Sequence, residues 1–315
     1  MKKIAITLGD PNGISPEITI KALNFLDLPK DKVVLVANKN VLDYYREEYD
    51  LSLEKDYEII DIPFEKENIK IGEETEEAGE FSFKALLKGC DLANNGEVQA
   101  IVTAPVSKNA MQMAGHNYSG QTEVIEQYIA NENQKAEMLF VCNDFSVLLL
   151  TRHVALKDIP IYITKEAIIE KVENLVKSLK EQLGQENPKI AMCALNPHAG
   201  ENGILGTEEI EHIIPAIEYL REKGIDISGP FPSDTLFCTC SKNTNEYDCY
   251  ISMYHDQGLI PVKLLAQEDS VNTTIGLNVL RTSPAHGTAY NIAGQNIADA
   301  SSMICAIELA LKSKN

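Results

Sequence analysis

A chain of 315 residues is long enough for one large core or two packed α/β domains, and 44% apolar content is ordinary for a globular protein, which excludes a disordered chain. Lysine and arginine total 28 against 47 acidic residues, and the formal charge of -19 sets aside nucleic acid and anionic membrane as partners. No stretch approaches the roughly 20 apolar residues of a membrane span. The opening MKKIAITLGDPNG breaks at Asp10 and Pro11 before a signal segment is complete, so a cytoplasmic protein is expected.

The segment KIAITLGDPNGISPEITIKAL reads as a buried strand, a glycine-bearing turn and a helix with Ser15 as N-cap, Pro16 at N1 and Glu17 in the first turn. Further buried strands are expected at KVVLVAN (32–38) and VQAIVTAP (98–105), with helices at FSFKALLKGCDLANN (81–95) and TEVIEQYIANE (122–132). Between them EKENIKIGEETEEAGE (65–80) is a solvated acidic stretch. This alternation predicts an α/β fold with a mostly parallel sheet. MLFVC and FSVLLLT flank Asn143-Asp144, a hairpin turn that puts an antiparallel element inside the sheet. A long helix closed by Gly184 follows, then the strand KIAMCAL (189–195) and a helix closed by Gly224 and kinked at Pro215. YDCYISM (247–253) is a strand leading to a glycine-bearing loop, and ADASSMICAIELALKS is a terminal helix. With no repeats and no linker, two domains would have to be interwoven.

The seven cysteines (90, 142, 193, 238, 240, 249, 305) are an odd number set mostly in apolar runs, which reads as buried free thiols. Cys238, Cys240 and Cys249 have poor zinc-site spacing and no fourth ligand.

His153, His198 and His255 each follow an apolar strand-like run: FSVLLLTRH, KIAMCALNPH and YDCYISMYH. The carboxyl ends of strands in open α/β sheets face the ligand crevice, so three imidazoles there can converge on a metal and leave it open positions. Any one alone reads as a hydrogen-bonded strand cap, but three together read as a site. His212 belongs to a helix, and His116 sits in a loop without an evident partner. Lys263, Asn272 and Arg281 follow in QGLIPVKLLAQEDSVNTTIGLNVLRTSPAHG, a segment of low helical character. A lysine, an amide and an arginine there can bind a phosphate or carboxylate, which in so acidic a chain favours an anionic substrate. The plain alternative for each is a solvated loop side chain.

The ordered blocks GDPNGISPEI, VTAPVSK, GQTE, LTRHVAL, NPHAGENGILGTEE, PSDTLF, YHDQGLIPVK and VNTTIGLNVLRTSPAHGTAYNIAG resemble the 4-hydroxythreonine-4-phosphate dehydrogenase family of vitamin B6 biosynthesis along nearly the whole chain. The resemblance implies two interlocked α/β/α domains with a cleft between them, as in isocitrate and isopropylmalate dehydrogenases. Drawn on this sequence, these are 1–125 with 265–315, and 126–264. It implies His153, His198 and His255 as ligands of one divalent metal (zinc, magnesium or cobalt), and Gln121, Thr122, Lys263, Asn272 and Arg281 as substrate residues. Lys263 and the three histidines become the catalytic candidates. HGTAYNIAG, with His286, Gly287 and Asn291, and Gly13 of the first turn become candidates for binding NAD. A homodimer with shared active sites is implied as well.

The implied reaction oxidises the C3 hydroxyl of 4-phosphohydroxy-L-threonine with NAD and then decarboxylates the β-keto acid to 3-amino-2-oxopropyl phosphate. This chain departs from the family in two places. Gln121 stands where a histidine is usual, and glutamine can donate a hydrogen bond but cannot carry a proton. Asn291 replaces an aspartate that grips the ribose, which softens discrimination against NADP. A related dehydrogenase of another phosphorylated hydroxy acid or a diol carboxylate is a second reading. A metal hydrolase or lyase without NAD, and a catalytically silent binding protein, are readings of other classes.

Overall fold

The computed structural model describes residues 3–132, 134–142, 145–240, 246–266 and 269–314. The turn expected at Asn143 and Asp144 lies outside the described residues. The chain divides into two compact units, Met1–Ala136 with Val271–Asn315, and Glu137–Ser270. The chain thus passes between units at 136/137 and 270/271, where the sequence reading drew the crossings at 125/126 and 264/265.

The first unit contains β1 (Lys3–Thr7), α1 (Ser15–Leu26), β2 (Val33–Ala37), α2 (Lys39–Tyr49), β3 (Glu58–Asp61), α3 (Glu76–Asn94), β4 (Val98–Thr103), α4 (Lys108–Met113) and α5 (Gln121–Ile129), and later β10 (Val271–Ile275), β11 (Leu280–Pro284) and α11 (Ser301–Leu311). Its strands lie in the order β3-β2-β1-β4-β11-β10, all parallel pairs except β10 with β11. Every residue of β2 and β4 is buried, as expected of parallel strands covered on both faces. Side-chain caps start three helices: Asn38 accepts from the Val41 amide, Thr75 from Ala78 and Ser107 from Ala110. Each such cap contributes about 1 kcal/mol. Ser15 is not the expected cap. It is already helical, and its hydroxyl donates instead to the Pro105 carbonyl at 2.7 Å, tying α1 to the end of β4.

The second unit contains β5 (Glu137–Val141), β6 (Ser146–Leu149), α6 (Ile159–Tyr162), α7 (Lys165–Leu183), β7 (Ile190–Cys193), α8 (Ile214–Glu222), β8 (Ile227–Phe231), α9 (Ser233–Leu236), β9 (Cys249–Ser252) and α10 (His255–Leu265). The strand order is β5-β6-β9-β7-β8; β5 and β6 form the expected antiparallel pair and the rest run parallel. The helix expected to kink at Pro215 instead begins with a π turn at Glu209–Ile213, after which Pro215 lies in the first turn of α8, where its missing N–H costs least.

The stretch after His255 corrects the sequence reading. It is not a loop: His255–Leu265 is helical although Pro261 lies inside it, and Asn272 and Arg281 sit on strands. Packing overrides propensity there, because Gly258, Leu259 and Val262 are buried and a Cβ at Gly258 would lie 2.7 Å from Leu149 and Ser252 side-chain atoms.

Candidate functional site

In the second unit the register of three neighbouring parallel strands decides where the histidines fall. Leu149 of β6 pairs with Ser252 of β9, and Met192 of β7 pairs with Ile251 on the other side of β9. His153 follows the end of β6, His255 opens α10 beyond β9, and His198 lies beyond β7, all on the same edge. The strand ends are held together beyond the ladder. Leu150 N donates to Ser252 O at 2.8 Å and the Thr151 hydroxyl to Met253 O at 2.7 Å. Gln257 accepts from Met253 N at 2.6 Å and donates to Ala194 O at 2.8 Å, joining the ends of β9 and β7.

This arrangement brings the rings of His153 and His255 to 5.8 Å between centroids. His255 Nδ1 lies 2.7 Å from the Asp256 carboxylate, which can only accept, so in the neutral ring Nδ1 carries the proton and Nε2 the lone pair. A carboxylate that fixes the tautomer of a histidine in this way is the usual outer support of a metal ligand, and in this respect the pair fits a divalent ion. His198 is not brought into a triad: among the described residues no group of three or more His, Cys, Asp or Glu side chains is placed to hold a metal ion. Its segment is unusual, with five consecutive left-handed residues, His198–Asn202, four of them not glycine. Such a turn costs about 1–2 kcal/mol per non-glycine residue. Buried Glu209 holds it, accepting from the amides of Leu195 and Asn196 at 2.9 and 2.8 Å and from the Asn196 side chain at 2.9 Å. Lys263 is an exposed residue in the last turn of α10.

The anion-binding candidates of the first unit gather around the end of β4. Arg281 is only 3% exposed. Its Nε and Nη2 donate to the Thr103 hydroxyl at 2.9 and 2.7 Å, and Nη1 lies 3.4 Å from that of Thr274. No carboxylate forms an ion pair with it among the described residues, and burial pushes its pKa down to about 10. A buried cation held by neutral hydroxyls alone is costly, and an anionic ligand would relieve that cost. Asn272 and Thr274 share a face of β10, and Thr274 pairs directly with Arg281. Asn272 Oδ1 is buried without a hydrogen-bond partner.

Gln121 and buried Thr122 open α5, which is seated by Val124, Ile125 and Ile129 in a core with Phe83, Leu86 and Met111. Gln121 Nε2 donates to Ala104 O at 3.2 Å, the residue next to Thr103, while its Oε1 is buried without a partner. Arg281 is therefore not the solvated side chain that composition allowed, and both amides reserve an acceptor.

The cofactor candidates lie on the segment after β11. His286, Gly287 and Asn291 are exposed, and the space a Cβ would take at Gly287 is open for 4 Å, which fits close approach of a ligand. Gly13 behaves differently. A Cβ there would meet the Thr288 carbonyl oxygen at 2.8 Å, and Ile14 N donates to that oxygen at 2.9 Å, so the missing side chain makes room for the 286–291 loop rather than for a ligand. His116, for which the sequence suggested no partner, stacks on Phe83 at 3.6 Å and bonds Glu80 at 2.6 Å.

Sequence reasoning passed over Thr103, Glu209, Asp256 and Gln257. Asp256 and Gln257 carried a usable signal, since polar residues that directly follow a strand-end histidine are placed to orient it.

Comparison with known proteins gives one consistent result. The family model for the pyridoxal phosphate biosynthetic protein PdxA matches residues 3–310. A 4-hydroxythreonine-4-phosphate dehydrogenase of a Sulfurihydrogenibium species is 41% identical, covering 99% of this chain and 98% of the relative. A relative from Oceanobacillus iheyensis, named as a candidate D-threonate 4-phosphate dehydrogenase, is 37% identical over 98% of this chain and 97% of its own length. The crystal structure of 4-hydroxythreonine-4-phosphate dehydrogenase from Klebsiella pneumoniae is similar with a TM-score of 0.86 and 35% identity, covering 99% of both chains.

Proposed function

We propose that this chain, which belongs to the pyridoxal phosphate biosynthetic protein PdxA family, oxidises the C3 hydroxyl of 4-phosphohydroxy-L-threonine and decarboxylates the product to 3-amino-2-oxopropyl phosphate. The observation that carries this reading beyond family membership is Arg281, a buried guanidinium in a strongly acidic chain whose hydrogen bonds among the described residues all go to hydroxyls. Its planar donor fork suits a phosphate or carboxylate, and with no ion-pair partner among the described residues its charge is left for the ligand. Thr122 and Asn272 support the same anion-bearing substrate, and Lys263 is the exposed cation proposed with them. Holding the anionic groups orients C3 and leaves one face of that carbon for hydride loss.

His153 and His255, with Asp256 behind the latter, would hold the divalent metal, and His198 is the further ligand candidate. When bound, the metal supplies a Lewis acid that eases loss of the hydroxyl proton and polarises the new carbonyl. NAD, held by the segment of His286, Gly287 and Asn291, supplies the hydride acceptor. Oxidation puts a carbonyl β to the carboxylate. The C1–C2 bond then breaks, its electron pair moves toward the carbonyl oxygen, CO2 leaves, and C2 takes a proton. A homodimer is part of the proposal, supported by the exposed apolar side chains Ile161, Ile204, Ile260 and Leu264 of the second unit. Localisation in the cytoplasm is proposed as well; no helix among the described residues is long and apolar enough to cross a membrane.

Purified protein supplied with 4-phosphohydroxy-L-threonine, NAD and a divalent metal should form NADH. A second reading, oxidation of a four-carbon sugar-acid phosphate, is favoured by one feature. The Gln121 amide spends a donor on Ala104 and reserves an acceptor, where the family places a histidine able to carry charge. NADH from the sugar-acid phosphate but none from the amino acid would decide for it.

A further inference from the structure

We infer that Asp10 and Tyr290 are positioning residues for the cofactor: the buried Asp10 carboxylate tethers Tyr290 and so sets the conformation of the 286–291 loop. The inference rests on the proposed role of that loop in binding NAD.

Asp10 is fully buried. One oxygen accepts the Tyr290 hydroxyl at 2.7 Å and the other accepts the Asn12 amide at 2.9 Å, so both are used and neither meets a cation among the described residues. A carboxylate in such a place is a poor means of stabilising a fold, since a neutral group of similar shape avoids the cost of desolvation. What it provides is placement. Asp10 is itself fixed, because its amide donates to Pro105 O at 2.9 Å at the end of β4. Asn12 extends the anchor, accepting from Lys70 N at 2.9 Å and donating to Glu73 O and the Thr75 hydroxyl at 3.2 and 3.3 Å.

The loop it holds needs holding. Ala289 is left-handed at φ 44°, an unfavourable conformation for a residue with a side chain, and Tyr290 begins a single 3-10 turn. Thr288 is fastened by the Ile14 amide and packs against Gly13. The side chain of Tyr290 is thus tied to the first turn of the chain on one side of the loop, while His286, Gly287 and Asn291 remain exposed. Releasing the tether lets the loop leave the conformation that presents these three residues, and apparent affinity falls in proportion to the fraction of molecules that remain competent.

The test is Tyr290→Phe, which removes one hydroxyl and keeps the ring, with Asp10→Asn as the second variant. An amide at position 10 keeps one oxygen for the Asn12 amide but turns an N–H toward Tyr290, so the hydroxyl must reverse to accept and the charge-assisted bond is lost. The NAD dissociation constant, measured by calorimetry on metal-loaded protein, is expected to rise about tenfold in Tyr290→Phe if the competent fraction drops to about a tenth. The metal dissociation constant should stay at the wild-type value, kcat/KM for NAD should fall far more than kcat at saturating NAD, and Asp10→Asn should move NAD affinity in the same direction. Unchanged NAD affinity in Tyr290→Phe, with a wild type that binds NAD, overturns the positioning role alone. Loss of NAD binding in Asp10→Asn but not in Tyr290→Phe also overturns it, since Asp10 would then act through the fold. A wild type that does not bind NAD overturns the cofactor reading of the loop and this role with it.

Discussion

Replacing Arg281 with methionine should stabilise the ligand-free protein while abolishing its response to substrate. Arg281 is 3% exposed, and the fall of its pKa from the ordinary arginine range to about 10 corresponds to about 3 kcal/mol against the charged form in the folded state. The group is a base whose folded pKa is depressed. The penalty is therefore fully present at neutral pH, where the arginine is charged in both folded and unfolded chains, and is relieved only as pH rises through about 10 toward the ordinary arginine range. Methionine fills a similar volume with an adaptable thioether. It forfeits the two bonds to Thr103, at about 1 kcal/mol each, while the contact with Thr274 at 3.4 Å is too long to add appreciably.

The net expectation is a gain of about 1 kcal/mol, or about 2–4 °C in the unfolding temperature of a domain of this size. Wild type should gain about 2.7 kcal/mol from substrate at a hundred times its dissociation constant, and the variant should gain nothing. Differential scanning fluorimetry with and without substrate reads both effects. A ligand-free variant less stable than wild type by more than about 1 kcal/mol, or one still protected by substrate, would refute the view that this cation is kept for a ligand.

Asp256→Asn should weaken metal affinity about 10- to 100-fold in a chelator competition, because an amide can present its own N–H to His255 and no longer fixes the tautomer; unchanged affinity would remove the metal reading of the pair. Gly13→Ala puts a methyl 2.8 Å from the Thr288 carbonyl oxygen and should cost about 1–3 kcal/mol in urea unfolding, since a backbone atom must move. In native protein at about pH 8, iodoacetamide should label exposed Cys238 and spare Cys90, Cys142, Cys193 and Cys249, whose thiols burial pushes up to about 12. Peptide mapping that found any of these four modified without unfolding would contradict the core described above.

Much of this protein was legible in one dimension because its strands are apolar runs and two of its helices close on glycines. The strands ending near Thr7, Thr103, Leu149, Cys193 and Ser252 were read from hydrophobicity alone, and the three histidines were singled out because each follows such a run. β10 and β11 were missed for the opposite reason. VNTTI and LRTSP look polar, yet Thr273, Thr274, Arg281 and Thr282 are buried, and the Thr282 hydroxyl is satisfied by Ala306 O at 2.8 Å on α11. α10 was missed because Pro261 and Gly258 argue against a helix unless β6 and β9 lie beneath it.

The sequence by itself determined the alternation of strand and helix, the placing of histidines at strand ends and the acidic surface, since each depends on side chains near one another along the chain. The tertiary structure alone decided which strand ends are neighbours, and hence that His153 meets His255 with Asp256 behind it. It also decided that Arg281 is a buried cation, that Gly13 serves the packing of Thr288, and that Asp10 reaches Tyr290. Each of these depends on bringing together residues distant in sequence, through strand register or side-chain reach that no local pattern encodes.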